Sequence, residues 1–195
     1  NAMLPHRPAR LCELSGARLI HISTDCVFSG SKGGYVEEDL SDATDLYGKS
    51  KYIGEVAYPH CVTLRTSIIG HELTGRNALV EWFLSQDGPV RGFSRAIFSG
   101  LPTVELSRVV RDYVLANTSL SGVYHVASPP INKYDLLMEI SRIYDKQIVI
   151  DKDTDFVLDR SLNGKRLLQA TGYVAPSWPE LLVQMHDFYK SGYYV

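Results

Sequence analysis

The sequence has few cysteines, no long apolar run and almost no net charge, and each absence excludes a class of protein. Its three cysteines are widely spaced without a CxxC pair, which argues against a disulfide scaffold or zinc ribbon and favours a reducing, cytoplasmic setting. No apolar segment reaches the roughly 18–20 residues of a membrane span, so no membrane partner is predicted. The net charge of -2 argues against a nucleic-acid partner. The six histidines lack metal-ligand spacing, so no metal site is predicted.

The remaining composition is that of a folded globular chain, with 45% hydrophobic and 22% charged residues. Apolar runs predict strands at residues 18–23, 61–66, 122–127 and 147–150. Periodicity and capping residues predict helices at 46–58, at 76–86, after Ser107, after Asn132 and after the Ser177–Glu180 capping box.

Strands that alternate with helices indicate parallel pairing with right-handed crossovers. We therefore predict an α/β fold: part of a doubly wound parallel sheet, followed by a smaller mixed lobe. Residues 88–103 are predicted to be a loop where the subdomain changes, and residues 102–106 to be extended. Thr44 or Asp45 is the predicted N-cap of the helix that starts at residue 46.

Two sets of side chains suggest chemistry. Tyr47 and Lys51 are four residues apart on a predicted helix and therefore share a face, where the lysine lowers the pKa of the phenol. Chance alone gives about 0.5 such pairs in this composition, so a solvated helix face is the default interpretation. Ser23 and Thr24 end a predicted parallel strand, where such folds bind ligands, although turn capping explains them equally well.

The order of four segments makes the signal specific. They are HISTDCVFSG at 21–30, YVEED at 35–39, YGKSKYIGE at 47–55 and LRTSIIG at 64–70. In this order they resemble the extended short-chain dehydrogenase/reductases, and within them the dTDP-4-dehydrorhamnose reductases of dTDP-rhamnose and polysaccharide biosynthesis. The resemblance continues more weakly through residues 122–125 and 159–163 to the end of the chain.

The resemblance implies an oxidoreductase that passes a hydride from NADP or NAD to a 4-keto sugar on a nucleotide. Tyr47 would donate the proton to the carbonyl oxygen, and Thr24 would hydrogen-bond the same oxygen. Lys51 would hold the nicotinamide ribose and lower the pKa of Tyr47, so both belong to the cofactor site as well. Thr66 and Ser67 would lie along the nicotinamide.

The implied sugar-binding residues include departures from the family pattern. Arg160 lies where an arginine often meets the substrate phosphates, although a surface ion pair is an equally good interpretation. Asp25 would orient the sugar or cap the loop. Cys26 and Ile68 stand where the reductases usually have Tyr and Trp, and the usual proline before Tyr47 is absent. Cys26 has no evident histidine partner, so packing rather than nucleophilic chemistry is expected of it.

The Gly-rich turn that receives a cofactor pyrophosphate is missing from this sequence. The glycines at 30–34 lead into a loop rather than a helix, so the choice between NADH and NADPH has no signal here. The resemblance implies roughly 80–100 further residues upstream of such a chain. Residues 1–87 would then be the C-terminal part of a Rossmann-type cofactor domain, and residues 88–195 mostly a substrate lobe interleaved with the last Rossmann elements.

Two function classes stay open. The first is the catalytic and sugar-binding portion of a nucleotide-sugar reductase that is inactive alone, and the second is a non-catalytic remnant or interaction module. In either case the strand at 19–23 would be a sheet edge without a protecting proline or lysine. We therefore expect a homo-oligomer that covers this edge by strand pairing, helix exchange or packing of residues 3–14.

Overall fold

The computed structural model describes residues 1–192 and consists of seven helices and eight strands, with two short helical turns. The helices are α1 His6–Ser15, α2 Leu46–Ile53, α3 Leu79–Leu84, α4 Thr103–Val109, α5 Lys133–Ile143, α6 Lys165–Thr171 and α7 Trp178–Lys190. The strands are β1 Leu19–Thr24, β2 Cys61–Thr66, β3 Ile68–Ile69, β4 Val90–Phe98, β5 Leu101–Pro102, β6 Gly122–His125, β7 Ile131–Asn132 and β8 Ile150–Asp159. No helix within residues 1–192 is both long enough and apolar enough to cross a lipid bilayer.

The first sheet is parallel, with the order β1-β2-β6. All six residues of β2 are buried, as is usual for the central strand of a parallel sheet that is covered on both faces. The register places Ser23 opposite Arg65 and Arg65 opposite His125, which makes a polar row across the sheet. The next row holds Thr24 and Thr66, so the carboxyl ends of β1 and β2 lie side by side.

Strand β1 forms a free edge of this sheet within the described residues. The Leu19 N–H bonds the His60 carbonyl of the neighbouring chain segment. Because backbone groups alternate sides along a parallel ladder, those of Ile20 and Ile22 point away from β2. The predicted edge is therefore observed, and the Ile22 carbonyl on it has a side-chain partner that is described below.

A second sheet, with the order β7-β4-β8, corrects two sequence predictions. Strand β4 occupies most of the predicted loop at 88–103, and β8 extends from residue 150 to 159, whereas the prediction ended at 150. The two strands pair in parallel along nearly their whole length. The charged run at 151–155 concealed β8, because its side chains stay mostly in solvent while its backbone bonds to β4.

Three of the predicted helix starts, those of α2, α5 and α7, are confirmed by their capping residues. Asp45 caps α2 by accepting from the Gly48 N–H at 2.8 Å, Asn132 caps α5, and the Ser177–Glu180 capping box opens α7. Helices α2 and α3 are shorter than predicted, since they end at residues 53 and 84. The extended segment predicted at 102–106 is wrong, because α4 begins directly after Pro102. The predicted helix start after Ser107 is wrong for the same reason, since Ser107 lies inside α4 and its hydroxyl donates to the Thr103 carbonyl.

The main core lies between the first sheet and helices α3, α4, α5 and α7. It includes Leu64 of β2, Leu136 and Ile140 of α5, and Leu181 and Leu182 of α7, all fully buried. Strand β6, from the second half of the chain, pairs with β2 from the first. The predicted fold class, a partial doubly wound parallel sheet with a smaller mixed lobe, is confirmed, while the division at residue 87 stays a prediction.

Candidate active site

The carboxyl end of β1 turns sharply into a short 3₁₀ turn, Asp25–Val27. The Thr24 hydroxyl caps this turn by accepting from the Cys26 N–H at 3.1 Å, and it donates to the Asp25 carboxylate at 3.1 Å. Burial raises the pKa of Asp25, and the hydrogen bond from Thr24 opposes that effect. Turn capping by Thr24, one of the two interpretations offered above, is thus observed. Thr24 is also the last residue of a parallel strand, which is the position that the other interpretation requires.

Helix α2 approaches this turn closely through Gly48. A Cβ at that position would lie 2.2 Å from the Cys26 carbonyl oxygen, so glycine is required for the contact. Tyr47 precedes Gly48 on the same first turn, and its side chain is 51% exposed rather than packed in the core. The first turn of α2, which carries Tyr47, therefore lies against the 3₁₀ turn, and the Tyr47 side chain is accessible to solvent.

Lys51 lies one helical turn after Tyr47, and its ammonium donates to the Ile22 carbonyl at 2.7 Å. This carbonyl is on the free edge of β1, where a further strand would otherwise bond to it. Burial lowers the pKa of Lys51, while the carboxylate of Glu55 opposes the shift. The ammonium is consequently held at the free edge of β1.

The second strand end carries the two residues expected beside a nicotinamide. Thr66 is buried opposite Thr24 in the register, and its hydroxyl donates to the Ser67 carbonyl at 3.2 Å. The Ser67 carbonyl also accepts from the Leu101 N–H at 2.9 Å. Ile68 pairs with Leu101 on β5, and its side chain is 48% exposed.

Arg160, which follows β8, reaches back to the 3₁₀ turn. One guanidinium nitrogen lies 3.3 Å from the Cys26 sulfur, and the buried Nε has no hydrogen-bond partner within residues 1–192. Burial raises the pKa of the Cys26 thiol, which disfavours a reactive thiolate. The structure thus brings Thr24, Asp25, Cys26 and Arg160 together, with α2 packed against them.

A buried ionic network under the site was not found by motif analysis. Arg65 binds the Glu55 carboxylate through two nitrogens, each at 2.8 Å, and the Ser23 hydroxyl donates to the same carboxylate at 2.7 Å. The second Arg65 Nη lies 3.2 Å from Nε2 of the buried His125. Glu55 follows α2, so the network fastens the end of this helix to β1 and β2.

Lys133 is the other residue that motif analysis missed. It opens α5, and its ammonium lies 4.1 Å from the centroid of the Phe98 ring. Burial lowers the pKa of Lys133 to about 8, an effect that the neighbouring Asp25 carboxylate opposes. A signal did exist, because a cation at the first position of a helix opposes the helix dipole and indicates some other role.

Other side chains do not suggest a metal centre. No group of three or more His, Cys, Asp and Glu residues between positions 1 and 192 is arranged to hold a metal ion.

Comparison with known proteins shows the family of this chain. Residues 1–148 match the family of the RmlD substrate binding domain. The chain belongs to this family. The match covers the Thr24–Cys26 turn, α2 and Lys133, and it supports the resemblance to dTDP-4-dehydrorhamnose reductases drawn from the sequence motifs.

Two curated relatives of the RmlD-family chain have different names. The dTDP-4-dehydrorhamnose reductase of Mycobacterium tuberculosis is 38% identical over 86 residues, covering 40% of this chain and 28% of that protein. The methionine adenosyltransferase 2 subunit beta of Danio rerio is 32% identical over 146 residues, covering 68% of this chain and 45% of that protein. The matches thus span less than half the length of either relative.

The fold is shared with a solved reductase. The structure of dTDP-4-dehydrorhamnose reductase from Bacillus anthracis in complex with NADP superposes with a TM-score of 0.82. It is 24% identical in sequence, and the match covers 96% of this chain and 70% of that one. At this identity the likeness establishes the fold.

Proposed function

We propose that this chain forms the proton-donating and sugar-binding portion of an NAD(P)H-dependent reductase that acts on the 4-keto group of a nucleotide sugar. The observation that carries the proposal is the close approach of α2 to the end of β1. Gly48 lets this helix touch the Cys26 carbonyl, and Lys51 donates to the Ile22 carbonyl of β1; both contacts support a position of Tyr47 and Lys51 near Thr24. A hydroxyl, a phenol and an ammonium at one strand end are the groups that carbonyl reduction needs.

In the proposed reaction the Thr24 hydroxyl hydrogen-bonds the sugar carbonyl oxygen, and Tyr47 delivers a proton to it. The Lys51 ammonium stabilises the phenolate that remains, because a nearby positive charge favours the ionised phenol. Bound NAD(P)H supplies the hydride. Thr66 and Ser67, at the end of β2, fit the nicotinamide end of such a cofactor, whereas the sequence offers no Gly-rich turn for its pyrophosphate.

The proposal predicts unequal binding of the two ligands by this chain alone. NADPH is expected to bind with a dissociation constant weaker than about 1 mM, because only nicotinamide-end contacts are available. dTDP-glucose is expected to bind at least about tenfold more tightly, since Thr24, Asp25 and Arg160 are all in place. Isothermal titration calorimetry measures both constants.

A matched pair of variants tests the sugar side of this prediction. Arg160→Met removes the guanidinium beside Cys26 and should weaken dTDP-glucose binding, whereas Arg142→Met, on the exposed side of α5, should not. Micromolar NADPH binding would contradict the cofactor part of the prediction. Failure of dTDP-glucose to bind at millimolar concentration would overturn the proposed function.

A second candidate is a non-catalytic interaction module. The relative from Danio rerio favours it, because that protein is named as a subunit of methionine adenosyltransferase 2 and its match covers more of this chain than the mycobacterial reductase does. Such a module keeps the sugar-nucleotide lobe and has lost redox chemistry. Stable association with a different protein, together with no reduction of a 4-keto nucleotide sugar by the complex, would therefore favour this candidate.

We also propose that the chain forms a homo-oligomer that covers the free edge of β1. Leu11 and Leu14, which are three residues apart on α1, and Leu4, just before this helix, are each about two-thirds exposed. Such an apolar surface next to an unpaired strand edge is a usual place for association. Light scattering at micromolar concentration should give the mass of a dimer or larger species. The interface in that species should exceed roughly 1,000 Å² in total. A stable monomer would contradict the proposal.

A further inference from the structure

The ammonium of Lys133 is held in a half-buried position without a conventional partner. It makes no hydrogen bond and no ion pair with any residue between 1 and 192, and it lies over the face of the Phe98 ring, 4.1 Å from the ring centroid. Keeping a cation partly away from water costs free energy unless a partner compensates for it. An ammonium in this state is therefore suited to a ligand that brings negative charge.

The position of Phe98 ties Lys133 to the candidate active site. A Cβ on Gly100 would lie 2.5 Å from the edge of the Phe98 ring and 2.2 Å from the Ser67 carbonyl oxygen, so ring, glycine and Ser67 are packed in contact. Asp25 of the 3₁₀ turn is near enough to act electrostatically on Lys133. The ammonium consequently lies over a ring that is packed against the segment following β2, within electrostatic reach of the turn that follows β1.

Neither cation near the 3₁₀ turn is in an ion pair within residues 1–192. Arg160 contacts Cys26 and retains an unpartnered buried Nε. The carboxylates nearby are occupied, since Asp25 accepts from the Thr24 hydroxyl, Asp42 from Ser29 and Asp45 from the Gly48 N–H. Two cations without an ion pair favour an anionic group with several oxygen acceptors.

We propose that Lys133, together with Arg160, binds an anionic oxygen group of the nucleotide sugar, so that Lys133 is a specificity-determining residue of the site. This assignment rests on the proposed function and names the part of the substrate that the lysine recognises. The anionic group is either the diphosphate or a carboxylate on the sugar ring, and both present the same chemistry to an ammonium.

The test compares ligands that differ in one group each. Titration calorimetry is performed with thymidine, dTDP, dTDP-glucose and dTDP-glucuronic acid on the wild type, Lys133→Met and Lys133→Arg. The matched control is Lys152→Met. Lys152 lies on β8, and its ammonium is 5.4 Å from the centroid of the Tyr134 ring. Loss of a charge-assisted hydrogen bond should weaken binding about 10- to 100-fold in Lys133→Met.

The pattern across ligands identifies the group. If Lys133→Met weakens binding of dTDP and dTDP-glucose equally, the diphosphate is bound; if it weakens only dTDP-glucuronic acid, the sugar carboxylate is bound. Lys133→Arg should retain most of the affinity in either case, and thymidine and Lys152→Met should show no change. The midpoint temperature of thermal unfolding of Lys133→Met should not fall below that of the wild type, because the substitution removes no hydrogen bond within residues 1–192.

Two failures are distinguishable. Wild-type affinity of Lys133→Met for all the phosphorylated ligands would overturn the assignment while leaving the proposed function intact. Absence of binding of every ligand to the wild type would overturn the proposed function, and the assignment with it.

Discussion

Replacement of Arg65 by methionine is expected to lower the free energy of unfolding by about 3–5 kcal/mol. The Arg65 and Glu55 side chains are only 4% and 6% exposed, and two hydrogen bonds of 2.8 Å join them. Methionine fills much of the same space but leaves the Glu55 carboxylate buried with no cation. Urea unfolding followed by circular dichroism measures the change.

A surface ion pair provides the control. Arg142→Met breaks a pair with Glu139 at 2.7 Å, where the arginine side chain is 62% exposed, and the expected loss is below about 1 kcal/mol. The double variant Arg65→Met/Glu55→Leu should recover most of the loss, because an apolar pair no longer contains an unpaired charge. A loss below about 1 kcal/mol in Arg65→Met would show that Glu55 finds another partner or water.

The same pair explains why the Lys51 ammonium is not bound to the Glu55 carboxylate. Glu55 lies four residues after Lys51, at the spacing of an ordinary helical ion pair. Its carboxylate is instead occupied by Arg65 and Ser23, and Lys51 donates to the Ile22 carbonyl. The carboxylate still opposes the lowering of the Lys51 pKa, so it helps to keep the ammonium charged without binding it.

The sequence predicted those parts of the fold that short segments determine. Strand β2, Cys61–Thr66, was predicted with its observed bounds because it is a short run rich in β-branched and apolar residues. Asp45 and Asn132 act on backbone groups within three residues, so their capping roles were also predictable. The β4–β8 pairing was not, because it joins segments about 60 residues apart and β8 is rich in charge.

The site divides in the same way. Thr24, Tyr47 and Lys51 belong to contiguous motifs that a resemblance identifies, and their roles remain proposals. Lys133 was missed because its place is fixed by Phe98 and Asp25, which lie far away in the chain. The burial of Arg65 depends on three strands meeting in register, which no local pattern reveals.

His125, at the far end of the Arg65 network, should make the protein sensitive to acid. Its ring is fully buried, Nδ1 donates to the Tyr35 carbonyl at 3.1 Å, and Nε2 faces a nitrogen of Arg65 at 3.2 Å. Arginine can only donate, so Nε2 must accept and the ring is neutral. Burial, reinforced by the positive charge of Arg65, lowers the pKa of His125 to about 3.

The direction of the effect follows from proton binding. In the unfolded chain a histidine has a pKa near 6.5, so below that pH the unfolded state binds a proton that the native state refuses. The contribution of His125 to stability is therefore complete above about pH 6.5 and is lost as the pH falls toward about 3. Between pH 7 and pH 5 this single group should remove about 2 kcal/mol.

Urea unfolding of the wild type and of His125→Gln at pH 7 and pH 5 tests this expectation. Glutamine has an amide that does not titrate, so the variant should be less stable than the wild type at pH 7 but should lose about 2 kcal/mol less on acidification. Burial lowers the pKa of His21 as well, and its contribution is common to both proteins and cancels in the comparison. Equal losses in the two proteins would place the acid sensitivity elsewhere and would mean that His125 titrates normally in the fold.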